Sequence, residues 1–275
     1  DVCWSPDSTK IASASLDGMI IIWDVLRGSA IQHLTDHSAT VKGVSWDPVG
    51  QFVASQSIDK SIKIYNTRDW RVEHTFTSPF SNLQDTMYFC RLGWSPEGGC
   101  LIGTCGNHGP NPIAPVFIRD NWKFIEYVGH TQAIVVARFS PRVYNSGQPR
   151  KARSLANFKA SHKTQQTDAS NWYCYCALGS QDKSVSIWRT DRVRPVLVIR
   201  NLFDQSVIDL SWASDGLSLL ACSCDGSVAM IRFEKPMLIY DRVVPDPILQ
   251  QELRRKASLQ NTAQNNAFAM TDSLA

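Results

Sequence analysis

The sequence is short of the signals that usually announce a function. Net charge is only +3, from 28 basic and 25 acidic side chains, too little to demand a nucleic-acid partner. No run approaches the roughly 18 apolar residues that a membrane-spanning helix needs, and Met19-Ile-Ile-Ile-Trp23 has only the length of a strand. Eight cysteines are present without a Cys-x-x-Cys pair, so the half of a zinc site that such a pair supplies is missing. Cys174 and Cys176 alternate along one strand, as do Cys222 and Cys224. The expectation is therefore reduced, mostly buried thiols of an intracellular protein. Gly-x-Ser-x-Gly, a P-loop and His-Glu-x-x-His are missing too, which removes common routes to nucleophilic, phosphate and metal chemistry. His108 lies in a Gly/Pro-rich stretch with no acid or nucleophile beside it in sequence. The expectation is no enzyme, no cofactor and no metal.

What is present is repetition. His37 to Tyr65 reads as strand, turn, strand, turn, strand, with Asp47-Pro-Val-Gly50 at one corner and Asp59-Lys60 at the next. Six residues separate Asp59 from Tyr65, and Asp17–Trp23, Asp182–Trp188 and Asp225–Ile231 keep that spacing. Trp4–Trp23, Trp46–Tyr65 and Trp212–Ile231 are each nineteen apart.

This pattern, with Trp23-Asp24 and the opening Gly129-His130, resembles the WD40 repeat, one four-stranded propeller blade per unit. In that family the His, a strand-b Ser or Thr, the turn Asp and the strand-c Trp form a buried hydrogen-bond chain. The resemblance therefore implies structural roles for Asp17, Trp23, His37, Asp59, Tyr65, His130, Asp182, Trp188 and Asp225. An Asp beneath a tight turn needs donors to meet its charge. Tyr65 and Ile231 depart from Trp, and Ile231 has no donor at all, so the last chain is expected to be incomplete.

The fold class expected is an all-β propeller over residues 1–240, with five blades visible of seven. The chain opens inside a strand at Asp1-Val-Cys-Trp4, which predicts a fragment whose first two blades lie upstream. Strands are expected at Val2–Trp4, Lys10–Ser15, Met19–Trp23 and Ala30–Leu34 in unit one, and at Val72–Phe76 to close unit two. In unit three, Gly106–Pro112 reads as a loop in place of the Asp turn, Val116–Ile118 as strand c, and Trp122–Val128 as the outer strand. Unit four is interrupted by a basic insertion over about 142–171 before Cys174 resumes the blade. That insertion carries Arg142, Arg150, Lys151, Arg153, Lys159 and Lys163 against Asp168 alone, and reads as a mobile surface loop. Arg150, Lys151 and Arg153 are its candidate electrostatic contacts. Unit five is Ser206–Phe233, with Met237–Tyr240 as its outer strand. Residues 241–275 read as a short helix opened by Asp246-Pro247, then a disordered linker. Arg254-Arg-Lys-Ala-Ser258 resembles a basophilic kinase site, although so short a match is frequent by chance.

A closer resemblance lies in Val41–Gly50, Ala54-Ser-Gln56, Thr67-Arg-Asp-Trp70, Ser78-Pro-Phe80, Arg91-Leu-Gly-Trp-Ser-Pro96, Phe124–His130, Arg194–Ile199 and Leu202–Trp212. These stretches are similar to the HIRA/Hir histone-chaperone family over nearly the whole chain. The replication-coupled chromatin assembly factor's propeller subunit shares the Trp-Asp-Pro text and fits less well at Arg194–Trp212. The resemblance implies a non-enzymatic nuclear scaffold for replication-independent nucleosome assembly and transcriptional regulation. Its propeller would bind a ubinuclein/Hpc2-type subunit. An anti-silencing-type small histone chaperone and core histones would be reached through regions outside this chain. It implies chromatin association, no membrane and no small-molecule substrate. The insertion and tail are expected to be this sequence's own, and the family's downstream chaperone-docking segment is expected to lie outside it. Two other readings stay open: another WD40 interaction module, and a nucleic-acid binder using the basic insertion, whose cluster lacks interleaved aromatics.

Overall fold

The computed structural model describes residues 1–81, 83, 87–146, 171–234 and 242–258. Short alternating runs fold into five antiparallel sheets. Sheet one is β1 (Val2–Trp4), β2 (Lys10–Ala14), β3 (Ile20–Asp24) and β4 (Ser29–Leu34). Sheet two is β5 (Val41–Trp46), β6 (Phe52–Ser57), β7 (Ser61–Asn66) and β8 (Val72–Phe76). Both follow chain order, because each corner carries turn chemistry. Gly50 takes φ +84° and Gly18 φ +83°, values that a side chain resists.

Sheet three comprises β9 (Gly93–Trp94), β10 (Cys100–Ile102), β11 (Gly106–His108), β12 (Asn111–Ile118) and β13 (Phe124–Val128). Here the sequence reading needs correction. Gly106–Pro112 is a hairpin, not a loop, with Gly106 opposite Ile113 and His108 opposite Asn111. Pro112 and Pro115 sit inside β12 and bring only their carbonyls to the ladder; Pro115 O accepts from Gly103 N at 2.8 Å.

Sheet four holds β14 (Ile134–Asn145), β15 (Trp172–Ser180), β16 (Val185–Arg189) and β17 (Leu197–Ile199). β14 does not stop at Pro141. A register shift between Phe139 and Val143 absorbs Ser140-Pro141-Arg142, and the strand then continues with Val143 and Tyr144 buried. The excursion is therefore narrower than the expected 142–171: Arg142 is a strand residue, and β15 starts at Trp172, two residues before Cys174. Ser146 N donates to Asn171 O at 3.2 Å, so the ends of the insertion meet. Residues 147–170, including Arg150, Lys151 and Arg153, lie outside the described residues.

Sheet five is β18 (Val207–Trp212), β19 (Ser218–Ser223) and β20 (Val228–Arg232). The outer strand expected at Met237–Tyr240 lies outside the described residues. A two-residue strand, β21 (Arg242–Val243), pairs with the far end of β14 at Tyr144 and Asn145. A helix, α1, covers 246–258. No helix among the described residues is long and apolar enough to cross a membrane.

The sheets pack face to face in chain order. Ile20 and Ile22 meet Val44 and Trp46 between sheets one and two. Phe52 and Ile64 meet Leu92 and Phe117 between sheets two and three. Ile102 and Val116 meet Cys176 and Trp188 between three and four, and Tyr175 and Ile187 meet Leu210 and Leu219 between four and five. Their first strands neighbour one another in the same order, β1 to β5, β9, β14 and β18. At this inner edge the backbones touch: Cys90 N donates to Lys42 O at 3.0 Å, and Arg91 N to Val135 O at 2.9 Å. Gly43 and Gly93 permit the approach. A Cβ on Gly43 would lie 1.9 Å from Cys90 O, and one on Gly93 would lie 2.9 Å from Ala137 O.

Candidate functional site: polar networks within and between the sheets

The repeat residues come together most fully in sheets two and four. His37 Nδ1 donates to Asp59 Oδ2 at 2.7 Å, and His37 Nε2 meets Ser55 Oγ at 2.7 Å. The Asp59 carboxylate also accepts from Ser38 N, Ser61 N and Ser61 Oγ. Burial pushes the His37 imidazole down, against the pull of Asp59. In sheet four, His130 Nδ1 donates to Asp182 Oδ2 at 3.0 Å. Asp182 accepts as well from Thr131 N and Ser184 N. Burial works to raise the Asp182 carboxyl, but hydrogen bonds from His130 and Ser184 outweigh it and hold it well below the usual range.

The hydroxyl in these chains does not always come from strand b. Four residues before the turn Asp stand Ser13, Ser55, Leu178 and Ala221 in units one, two, four and five. Ser13 accepts from Trp23 Nε1 at 2.8 Å, and Ser55 meets His37. Leu178 has no hydroxyl, so Ser186 on β16 serves: it accepts from Trp188 Nε1 and meets His130 Nε2, both at 2.7 Å. Asp17 is exposed and accepts from Met19 N at 3.0 Å. With Ala221 and Ile231, unit five keeps only its turn, where Asp225 accepts from Asp204 N, Ser227 N and Ser227 Oγ. Tyr65 is fully buried where other units place Trp, and burial pushes its phenol well up.

Two networks escaped the sequence reading. Asp47 and Arg119 form a bidentate pair at 2.7 and 2.9 Å between sheets two and three. Arg119 Nη2 also donates to Gln51 Oε1 at 2.9 Å, and its guanidinium lies 4.8 Å from the Phe52 ring centre. One signal existed: the residue after the strand-a aromatic is Ser5, Ser95 or Ser140 in units one, three and four, Ala213 in unit five, and Asp47 in unit two. At the inner edge, Arg91 reaches Asp209 Oδ2 at 2.9 Å and Asp1 Oδ1 at 3.5 Å, and Arg138 reaches Asp209 Oδ1 at 3.2 Å. Sheets one, three, four and five thus share one charge cluster. Beside it, Tyr88, Phe89, Gln181 and Ser206 border a small cleft of about 50 Å³.

His108 also needs correction. β13 brings Glu126 Oε2 to 2.8 Å from its Nδ1, across β12 and out of reach of a linear reading. All eight cysteines are free. Burial pushes the Cys100 thiol up to about 12 and raises Cys174 and Cys176 as well, the opposite of an activated nucleophile. Among the described residues no group of His, Cys, Asp and Glu is arranged to hold a metal ion. Both nitrogens of His37 and of His130 are engaged inside the fold, so neither is poised as a general base.

Residues 1–238 match the family model described as the CAF1B/HIR1 beta-propeller domain. Protein HIR1 of Cryptococcus neoformans var. neoformans serotype D is 39% identical over 236 residues, covering 85% of this chain and 25% of that protein. Protein HIRA of Xenopus laevis is 37% identical over 273 residues, covering 98% of this chain and 25% of its own length. Protein hir1 of Schizosaccharomyces pombe is 33% identical over 236 residues, with 86% and 23% covered. The chain spans about a quarter of the length of these relatives. Through the domain that the model describes, the chain belongs to the HIR1/HIRA family.

Proposed function

We propose that this chain is the propeller portion of a non-enzymatic scaffold subunit in a HIR-type histone-chaperone complex. It acts in the nucleus, in replication-independent nucleosome assembly and transcriptional regulation, and it docks a ubinuclein/Hpc2-type subunit. The small histone chaperone of the anti-silencing type and the core histones are engaged by other parts of the protein. The observation that carries this reading is the family match along residues 1–238. The local chemistry agrees with it: histidines and carboxylates that could serve catalysis are spent on holding turns and sheets. In this reading the five sheets, within residues 1–240, are five blades of a seven-bladed ring. The repeat residues Asp17, Trp23, His37, Asp59, Tyr65, His130, Asp182, Trp188 and Asp225 are structural, and Arg150, Lys151 and Arg153 are an electrostatic contact.

The test is affinity capture of the full-length protein from nuclear extract. Recovery of a ubinuclein-type subunit together with the small histone chaperone supports the reading. Recovery instead of the large subunit of the replication-coupled assembly factor overturns it in favour of the other branch named in the family model.

A further inference from the structure

The helix α1 is fastened to the corners of three sheets. Leu249 and Leu253 are buried among Val143, Trp172 and Cys174 of sheet four. Lys256 Nζ donates to Glu97 O of sheet three at 2.5 Å, and Gln51 Nε2 of sheet two donates to Ala257 O at 3.0 Å. Glu252 is only 4% exposed, and Arg255 grips its two carboxylate oxygens at 2.6 and 2.7 Å. One turn further on, Ser258 is exposed, its Oγ donating to Arg255 O at 2.8 Å. Of the basic run Arg254-Arg255-Lys256 before Ser258, Lys256 thus reaches a sheet and Arg255 neutralises Glu252 within the helix.

We propose that Ser258 is a phosphorylation site for a basophilic serine kinase, and that its modification releases α1 from the sheets. The seryl Oγ attacks the γ-phosphorus of ATP. A bond from Oγ to phosphorus forms, the bond from phosphorus to the β–γ bridging oxygen breaks, ADP leaves, and the hydroxyl proton passes to the kinase's base. The product carries roughly −1.5 to −2 charge. It stands one turn from Arg255, whose guanidinium already neutralises Glu252.

Arg255 decides the outcome, because Glu252 and Ser258 lie three residues either side of it and both are within its reach on the helix. A dianionic phosphate with three acceptor oxygens draws the guanidinium away from Glu252. That leaves a buried carboxylate without its bidentate counter-charge, a strongly destabilising change. Undocking returns Glu252 to water and uncovers the apolar corner formed by Val143, Trp172 and Cys174. While α1 is docked, Arg255 and Lys256 are occupied, so a kinase reads them during transient opening and the phosphate then holds the helix open.

The experiment treats the purified full-length protein with ATP and the catalytic subunit of cyclic-AMP-dependent protein kinase, as the basophilic probe. Phosphate is located by mass spectrometry, and amide hydrogen exchange is followed peptide by peptide. The expected result is phosphate on Ser258 and at least tenfold faster exchange across 246–258, with β2 and β3 unchanged. Ser258→Ala is expected to keep slow exchange under the same treatment. Glu252→Gln is expected to accept the phosphate yet show a far smaller acceleration, since a neutral amide does not depend on the Arg255 counter-charge. Absence of phosphate at Ser258, unchanged exchange after its incorporation, or a full response in Glu252→Gln would each overturn the proposal.

Discussion

Asp47 of sheet two and Arg119 of sheet three face each other as a bidentate ion pair whose side chains are 0% and 3% exposed. Removing one partner leaves the other charge buried, so Arg119→Ala is expected to cost about 3–5 kcal/mol. Replacing both together, Asp47→Leu with Arg119→Met, is expected to cost much less than the sum of the single changes. Guanidinium denaturation of the four proteins in the cycle measures this. Additive single and double values would show that the pair contributes nothing as a pair.

Acid is expected to weaken the fold in two stages. His37 is held below its ordinary value of 6.5, so folding favours the neutral ring. That contribution is complete above about pH 6.5 and fades as pH falls through the folded-state value. Asp182 is held below 3.8; its contribution is present above that value and is lost as pH falls through its lower folded-state value. Melting temperatures across the acid range are expected to show that His37→Gln flattens the first stage and Asp182→Asn the second. Identical pH profiles for wild type and both variants would refute the assignment.

The turn aspartates are expected to differ in weight. Asp59→Ala strands the His37 N–H and the backbone donors of Ser38 and Ser61 in a half-buried turn, at about 1–3 kcal/mol. Asp225 accepts a similar set of donors in the open, where water replaces it. Thermal melts should therefore rank Asp59→Ala well below Asp225→Ala in stability, with partner capture retained by both at low temperature. Lost capture with an unchanged melt would make Asp59 a contact residue.

The insertion is expected to be dispensable for folding. Its ends are joined at Ser146 and Asn171, and closure entropy changes only slowly with loop length. Replacing 147–170 by a short Gly-Ser link should leave the melting temperature unchanged. If Arg150, Lys151 and Arg153 are contacts, chromatin association weakens most at low salt. Association equal to wild type at both low and high salt would reduce the segment to a spacer.

Much of the sheet architecture was legible because strand spacing and turn residues recur, as at Asp59-Lys60 and Asp182. Strand β8 falls where the sequence reading put it, at Val72–Phe76. The reading failed where one residue's meaning depends on a distant one. Pro141 reads as a stop, yet a bulge carries β14 past it to a buried Val143 and Tyr144. Gly and Pro between 106 and 112 read as a loop until β12 is seen to pair with β10, β11 and β13. Ser186 looks like any strand residue until Leu178 leaves His130 without a hydroxyl on β15. Arg119 gains meaning only once sheet packing brings Asp47 to it.

The two glycines where the first strands meet have a geometric consequence. The approach of neighbouring sheets is set where Gly43 faces Cys90 O and Gly93 faces Ala137 O. A methyl at Gly43 would lie 1.9 Å from Cys90 O, so the two backbones would have to part and the bond from Cys90 N to Lys42 O would open. At Gly93 the same change would lie 2.9 Å from Ala137 O, beside the bond from Ala137 N to Arg91 O. Backbone joins backbone between these sheets only because two side chains are missing.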